Sequence, residues 1–316
     1  MAPLIRTEHL KKYFKVNDGV LHAVDDINLE IYPGRNLGLV GESSCGKSTL
    51  GRLVIRLLEP TAGKVFFEGK DILSFTKQER KDLHREMQMI FQDSYSSLNP
   101  RMSVFELISE PLVVNHVYAA HQEMAERIYR LMDMVGLARR FANSYPHELD
   151  GGRRQRIGVA RALAINPKFV VCDEPVSALD ASIQAQILNL LMDLQDGLGL
   201  TYLFITHDLS VVKHISKEIA VMYMGQCIEK CTTKELFKNP LHPYSKALLA
   251  SIPIPSLDVK MSRQVIRGEV SNPIDPKPGC RFAPRCDHAC DRCKEEQKLT
   301  DQGNGHFVAC SLYPGA

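Results

Sequence analysis

No apolar run anywhere in the 316 residues approaches the length that crosses a bilayer. The opening Met1-Ala2-Pro3-Leu4-Ile5-Arg6 lacks the apolar h-region of a signal peptide. The expectation is a chain made and kept in the cytoplasm, brought to any membrane by other chains. A dominant charge is also lacking: 39 Lys and Arg against 37 Asp and Glu leave a net +2. That balance, spread along the chain, argues against nucleic acid as a partner. Long internal repeats and low-complexity tracts are absent. What remains is an ordinary globular composition, 44% apolar, at a length suited to one large domain with an appendage or to two modest domains.

Strand and helix signals alternate through most of the chain. Residues 4 to about 31 read as β-rich, Val20, His22 and Val24 alternating with Leu21 and Ala23 as in half-buried strands. Pro33-Gly34 turns the chain into the apolar run 37–40. Residues 65–67 read as a short strand, 69–71 as a turn and 86–92 as another strand. From 100 to about 164 the character is helical: Val104, Leu107 and Ile108, then Met124, Ile128, Leu131, Met132 and Val135 recur at helical spacing, a core face. Strands are expected at 169–172, 201–206, 219–224 and 226–230, and helices at 182–198 and 209–216. Such alternation implies a mainly parallel sheet with covered faces. After Ile252 the composition shifts, with Pro253, Pro255, Pro273, Pro276, Pro278 and Pro284 in a short span. That segment cannot fold on a core of its own and needs a staple.

Two motifs carry the chemistry. Gly41-Glu42-Ser43-Ser44-Cys45-Gly46-Lys47-Ser48-Thr49 lies between an apolar strand and a helix-like run. Backbone N–H groups of such a loop and of the helix start point at phosphate oxygens. Lys47 reaches the β- and γ-phosphates, and the Ser48 hydroxyl can ligate Mg²⁺. Gly41 and Gly46 permit a close approach that side chains would block. A chance Gly-rich turn is the bland alternative, and the order strand, loop, helix speaks against it. Downstream, the apolar run 169–172 ends in Asp173-Glu174. This places two carboxylates at the carboxyl edge of a sheet. Asp173 is placed to hold Mg²⁺, and Glu174 to orient or deprotonate a water. The bland alternative is a helix N-cap cluster, since Pro175 follows.

With these residues in hand, the chain resembles the nucleotide-binding subunit of an ABC transporter from about residue 4 to 252. Further motifs stand in the family's order. Gln92, in Ile90-Phe91-Gln92-Asp93, matches the glutamine that senses Mg²⁺ and the water and couples to the membrane subunits. Ser177-Ala178-Leu179-Asp180 matches the D-loop, and His207, in Ile205-Thr206-His207-Asp208, the switch histidine on the γ-phosphate. Phe14 takes the place of the aromatic that stacks on adenine, with Tyr13 as the lesser candidate. The resemblance implies an α/β P-loop NTPase core of ABC type with an antiparallel β subdomain and a helical subdomain at about 100–164. It also implies ATP and Mg²⁺ as cofactors. By that resemblance the ATPase domain spans 1–255, and 256–316 form a Cys-rich extension.

Two departures stand out. Where the family has Leu-Ser-Gly-Gly-Gln, this chain has Leu149-Asp150-Gly151-Gly152-Arg153. In the family this segment closes on the γ-phosphate held by the other subunit. A serine hydroxyl donates to that phosphate, whereas an ionised Asp cannot, and a carboxylate there is repelled. Gly151 and Gly152 N–H groups still donate, Arg153 can offset the charge, and Asp150 can cap the following helix. The expectation is a weakened site on a paralogous partner ATPase, the competent site being the one built on Lys47 and Glu174. The second departure is Ser44, where the family often has Gly. With Gly41 and Gly46 intact, little loss is expected.

Nine cysteines are present, and five of them, Cys280, Cys286, Cys290, Cys293 and Cys310, crowd the end. In a reducing cytosol such crowding points to a metal site rather than to disulfides or incidental thiols. Four thiolates suit tetrahedral zinc or an iron–sulfur cluster, which spacing alone does not separate, and Cys290-x-x-Cys293 would suit a zinc knuckle. His242-Pro243-Tyr244-Ser245-Lys246-Ala247-Leu248 and Gly279-Cys280-Arg281-Phe282-Ala283-Pro284-Arg285-Cys286 are similar to the C-terminal extension of dipeptide and oligopeptide importer ATPases. That resemblance implies a structural [4Fe-4S] cluster on Cys280, Cys286, Cys293 and Cys310, with Cys290 extra. It further implies a subunit peripheral on the inner face of the membrane, with two permeases, a second ATPase and, indirectly, a peptide-binding protein. ATP binding would close two such subunits around two nucleotides, and hydrolysis would reopen them. Three rivals use the same core. A soluble ABC ATPase of translation or repair would need two cores or a long coiled-coil insertion, and neither is present. The others are a redox or regulatory protein acting through the tail, and an importer of nickel or a glycan.

Overall fold

The computed structural model describes residues 2–93, 95–252 and 272–313. The expected boundary between 255 and 256 lies outside the described residues, as do Pro253 and Pro255. The chain forms two compact units, one of residues 1–73 with 204–316 and one of 74–203.

The first unit opens with a long hairpin, β1 (Ile5–Val16) and β2 (Gly19–Ile31), then β3 (Asn36–Val40) and α1 (Lys47–Val54), then β4 (Ala62–Phe67) and β5 (Lys70–Asp71). Its antiparallel sheet runs β2-β1-β4-β5. The hairpin lacks the expected clean alternation: Val20, Leu21 and His22 are all half-buried. The reason is a second cover. The His22 N–H donates to Pro273 O at 2.9 Å, the Asp275 N–H to Val20 O at 2.9 Å, and Leu21 bridges Ile274. The expected turn at 69–71 is shorter than read, because Lys70 and Asp71 already pair with Phe67 and Phe66.

In the second unit, α2 (Lys77–Glu86) leads into β6 (Met87–Ile90); α3 (Val104–Val114), α4 (His121–Met134) and α5 (Gly151–Leu163) follow, then β7 (Phe169–Asp173) and α6 (Ala181–Leu198). Glu86 was expected to open a strand, and it instead closes α2. That helix starts at a capping box, Thr76 Oγ1 accepting from the Glu79 N–H while Glu79 reaches back to Thr76 N–H. Of the expected helical stripe, Ile128, Leu131, Met132 and Val135 are fully buried, whereas Met124, in the first turn and a half of α4, is only half-buried. Strands β6 and β7 are parallel, with Ile90 opposite Cys172. All five residues of β7 are buried, as a covered parallel strand requires.

The unit boundary falls inside β8 (Thr201–Thr206). The first unit then resumes with α7 (Leu209–Ile215), β9 (Glu218–Tyr223), β10 (Gln226–Thr232), α8 (Thr233–Lys238), α9 (Pro243–Ala250), β11 (Thr300–Asp301) and β12 (Phe307–Val308). Here β3 lies parallel to β9, and the order continues β9-β10-β12-β11 with antiparallel pairs. The C-terminal tail thus adds two short strands beside β10. Fully buried Glu229 ties it in, accepting from Leu241 N–H at 2.8 Å and His242 N–H at 3.0 Å and meeting His306 Nε2 at 2.7 Å. Among the described residues, no helix is long and apolar enough to cross a membrane.

Candidate functional site

In the first unit, β3 ends in the phosphate-loop sequence. A Cβ on Gly41 would sit 2.2 Å from Met222 O, and one on Gly46 2.0 Å from Ala23 O. Both positions also have positive φ, so any side chain would displace backbone from the adjoining strands. Gly46 caps α1 from a left-handed conformation, and Ser48 and Thr49 lie in its first turn. Lys47 is 4% exposed, and its ammonium donates to Gly41 O and Glu42 O at 2.9 Å each. Cys45 is buried and its thiol is pushed up by that burial. Ser44 sits at φ +63°, the left-handed region that glycine favours. The departure from Gly therefore carries a backbone cost of about 1–2 kcal/mol, which the intact glycines on either side do not remove. The Glu42 N–H donates to Tyr244 Oη at 2.9 Å, so phosphate-facing amides must come from residue 43 onward.

Tyr13 and Phe14 point to opposite faces of β1. The Tyr13 hydroxyl donates to Asp25 Oδ1 at 2.5 Å, and its ring stacks on His22 with centroids 3.9 Å apart. Tyr13 is thus committed, and Phe14, half-buried with the Lys12 ammonium 5.1 Å from its ring centroid, is the aromatic offered to the other side. His207 is exposed at the end of β8, and Asp208 behind it caps α7 by accepting from the Ser210 N–H at 2.7 Å.

In the second unit, strand register does the positioning. Gln92 and Glu174 each lie two residues beyond the paired Ile90 and Cys172. They leave the sheet side by side, and Gln92 Nε2 donates to Glu174 Oε2 at 2.9 Å. Asp173 is 2% exposed and Glu174 8%. Glu174 adopts φ +45°, costly for a residue with a side chain and typical of functional turns. After β7 the next helix begins only at Ala181, so Asp173 and Glu174 are not an N-cap cluster. The cap of α6 is Asp180, whose Oδ1 accepts from the Ile183 N–H at 3.0 Å.

Asp150 caps α5: its Oδ1 accepts from the Arg153 N–H at 2.8 Å, and Oδ2 pairs with the Arg153 guanidinium. Gly152 packs so closely that a Cβ would meet Ile183 Cγ2 at 2.7 Å, while one on Gly151 would touch Leu179 at 3.1 Å. The segment after Asp150 is thus held against the Leu179-Asp180 turn and the start of α6.

The terminal cysteines converge. Burial pushes the Cys280 thiol up to about 11, with Cys293 and Cys310 adding to the push. Cys286 and Cys310 are raised by burial first, and both also feel Cys293 and Cys290. The Cys280 N–H donates to Cys293 O at 2.8 Å. Cys290 and Cys293 sulfurs lie 3.8 Å apart, and the Ser311 hydroxyl is 3.1 Å from Cys293 Sγ. Among the described residues no three of these sulfurs lie within 4.8 Å of one another, so what suits a thiolate-ligated metal group here is the soft donor set itself.

Sequence reasoning gave no role to Tyr244, Phe282, Arg281 or Arg285. Phe282 is 3% exposed and sits among Tyr223, Tyr244 and His242, with ring centroids 5.3, 5.4 and 5.8 Å away. Arg285 pairs with Glu42 of the phosphate loop at 3.0 Å, and Arg281 pairs with Asp25. A short run of two arginines around an aromatic, bracketed by cysteines, was the available signal.

Residues 24–177 match the ABC transporter family model, and residues 228–293 match the oligopeptide/dipeptide transporter C-terminal region. The chain is 48% identical to the putative oligopeptide transport ATP-binding protein YkfD of Bacillus subtilis, over 99% of this chain and 97% of that protein. It is 45% identical to the dipeptide transport ATP-binding protein DppF of Haemophilus influenzae, over 98% and 96%. Among solved structures, the dimeric ATP-binding cassette MJ0796 in a post-hydrolysis state bound to ADP and Pi is similar, with a TM-score of 0.66 and 28% identity, covering 72% of this chain and 98% of that one. The chain belongs to the ABC transporter family and, within it, to the oligopeptide and dipeptide transport ATP-binding proteins.

Proposed function

We propose that this chain is the ATP-hydrolysing subunit of an importer of di- and oligopeptides. The observation that carries the reading is the union in one chain of the phosphate loop, with Lys47 at the start of α1, and the oligopeptide/dipeptide C-terminal region. Lys47 and the amides of Ser43, Ser44, Cys45, Gly46, Ser48 and Thr49 hold the phosphates and oppose charge that grows in the transition state. Phe14 stacks on the adenine. Glu174, oriented by Gln92, takes the proton of the attacking water. His207 steadies the γ-phosphate. Ser48, Gln92 and Asp173 are the oxygen donors for Mg²⁺, which when bound neutralises charge on the transferring phosphoryl group.

The working form in this reading is a nucleotide-sandwich dimer, with Asp150, Gly151, Gly152 and Asp180 facing the nucleotide of the partner subunit. Asp150 is spent on capping α5 and pairing with Arg153, which supports a paralogous partner that carries the weaker site. Two permeases bind the pair at the inner face of the membrane, and a peptide-binding protein delivers the solute to them. Cys280, Cys286, Cys293 and Cys310 hold a [4Fe-4S] cluster whose task is structural, zinc being the alternative.

Deleting the gene from its own host and following labelled solutes tests the reading. Uptake of labelled di- and oligopeptides should be lost and return with the wild-type gene. Intact peptide uptake with loss of nickel or glycan uptake would overturn it.

A further inference from the structure

The turn 280–286 touches the nucleotide-binding unit at two separate places. Phe282, 3% exposed, anchors it in the aromatic pocket of Tyr223, Tyr244 and His242. On one side of this plug, the Arg281 side chain, 6% exposed, pairs with Asp25 and donates to Met224 O. Asp25 is also the acceptor for Tyr13 and lies 3.2 Å from His22 Nδ1. Burial alone would raise its carboxyl, and these partners together hold it below the ordinary carboxylate range. Tyr13 adjoins Phe14 and pairs with His22 near the Val16–Gly19 turn, so Arg281 braces the turn half of the adenine-side hairpin.

On the other side, Arg285, 10% exposed, meets both Glu42 oxygens at 3.0 and 3.4 Å and donates to Tyr223 Oη at 3.2 Å. Glu42 is the second residue of the phosphate loop. Its carboxylate opposes any polyanion bound there, and the Arg285 guanidinium cancels that charge while pinning the loop. Removal of Arg285 would leave a half-buried, uncompensated carboxylate beside the phosphates.

We propose that Arg281 and Arg285 are positioning residues of the nucleotide site, through which the Cys-rich extension sets how tightly the phosphate loop and the adenine-side hairpin hold ATP. The inference rests on the ATPase reading. The two arms differ in what they act on. Loss of Arg285 penalises a ligand in proportion to its phosphate charge. Loss of Arg281 loosens the hairpin and weakens adenine ligands alike.

Calorimetric titration of the full chain with MgATP, MgADP and adenosine tests this. Arg285→Ala should weaken MgATP about tenfold, MgADP about threefold and adenosine hardly at all. Arg285→Lys should retain most of the affinity, and Glu42→Gln combined with Arg285→Ala should restore MgATP to within about twofold of wild type. In steady-state hydrolysis the Arg285→Ala loss should appear in KM, with kcat within about twofold. Arg281→Ala should weaken all three ligands by a similar factor. Wild-type affinity in Arg285→Ala, or equal loss for all ligands with no recovery in the double variant, would overturn the proposal. A wild-type chain that binds no MgATP would instead overturn the ATPase reading beneath it.

Discussion

The side-chain amide of Gln92 donates to the Glu174 carboxylate at 2.9 Å because the two residues leave neighbouring parallel strands at the same height. One oxygen of Glu174 is thereby oriented, and the strained backbone at φ +45° fixes where the carboxylate points. Glu174→Gln should cut ATP turnover by about 10²- to 10⁴-fold and leave nucleotide affinity nearly unchanged. Single-turnover hydrolysis beside equilibrium ATP binding checks it. A variant that still turns over at a tenth of the wild-type rate would remove Glu174 from the role of base.

Ser44 holds a left-handed backbone at φ +63° on the exposed surface of the phosphate loop. Ser44→Gly relieves the Cβ clash but adds freedom to the unfolded chain, so the gain should be about 1 kcal/mol or somewhat less. Urea denaturation of both proteins reads it directly. Destabilisation by the glycine would show that the serine side chain contributes contacts that outweigh the strain.

His242 is buried and pushed down by that burial from 6.5 to about 3. Its Nδ1 accepts from the Tyr244 N–H at 3.0 Å, so the neutral ring caps α9. Below 6.5 the unfolded chain takes a proton that the folded chain refuses. Stability from this group is therefore complete above the unfolded value and drains away as pH falls toward the folded one, by up to about 1.4 kcal/mol per pH unit. His242→Asn keeps a capping side chain without the titration. Its stability should fall less steeply between about pH 6 and pH 4 than that of the wild type. Identical slopes would contradict a neutral buried ring.

Asp150 caps α5 and pairs with Arg153. Asp150→Ser should keep the cap, since serine serves that position about equally well, while supplying a hydroxyl donor for a γ-phosphate. ATP turnover of the assembled transporter should rise. Unchanged or lower turnover would count against the reading of a weakened site.

Much of the fold was legible because its signals are local. The run 37–40, Gly41 and Gly46, and Lys47-Ser48 follow one another directly, and the strand 169–173 is apolar up to its final Asp173. The stripe expected from Met124 to Val135 keeps helical spacing, and all of it but half-buried Met124 is in the core. What was missed depends on non-local pairing or on short polar signals. Helix α2 is nearly all polar, and only the Thr76–Glu79 capping box announces it. The lost alternation in β2 traces to Pro273, Ile274 and Asp275, some 250 residues away. The same distance hides Arg281 from Asp25 and Arg285 from Glu42, so no window along the sequence could have joined the tail to the phosphate loop. At Ser44 the residue was visible and its backbone angle was not.

Lys47 offers the most direct trial of the account. Its ammonium is held at the loop by Gly41 O and Glu42 O, and the proposed function makes it the charge on which phosphate capture depends. Host cells in which Lys47→Ala replaces the wild-type protein at equal abundance should take up labelled oligopeptide only at the level of the deletion strain. Uptake at the wild-type rate would contradict the claim that ATP held on this loop drives the importer.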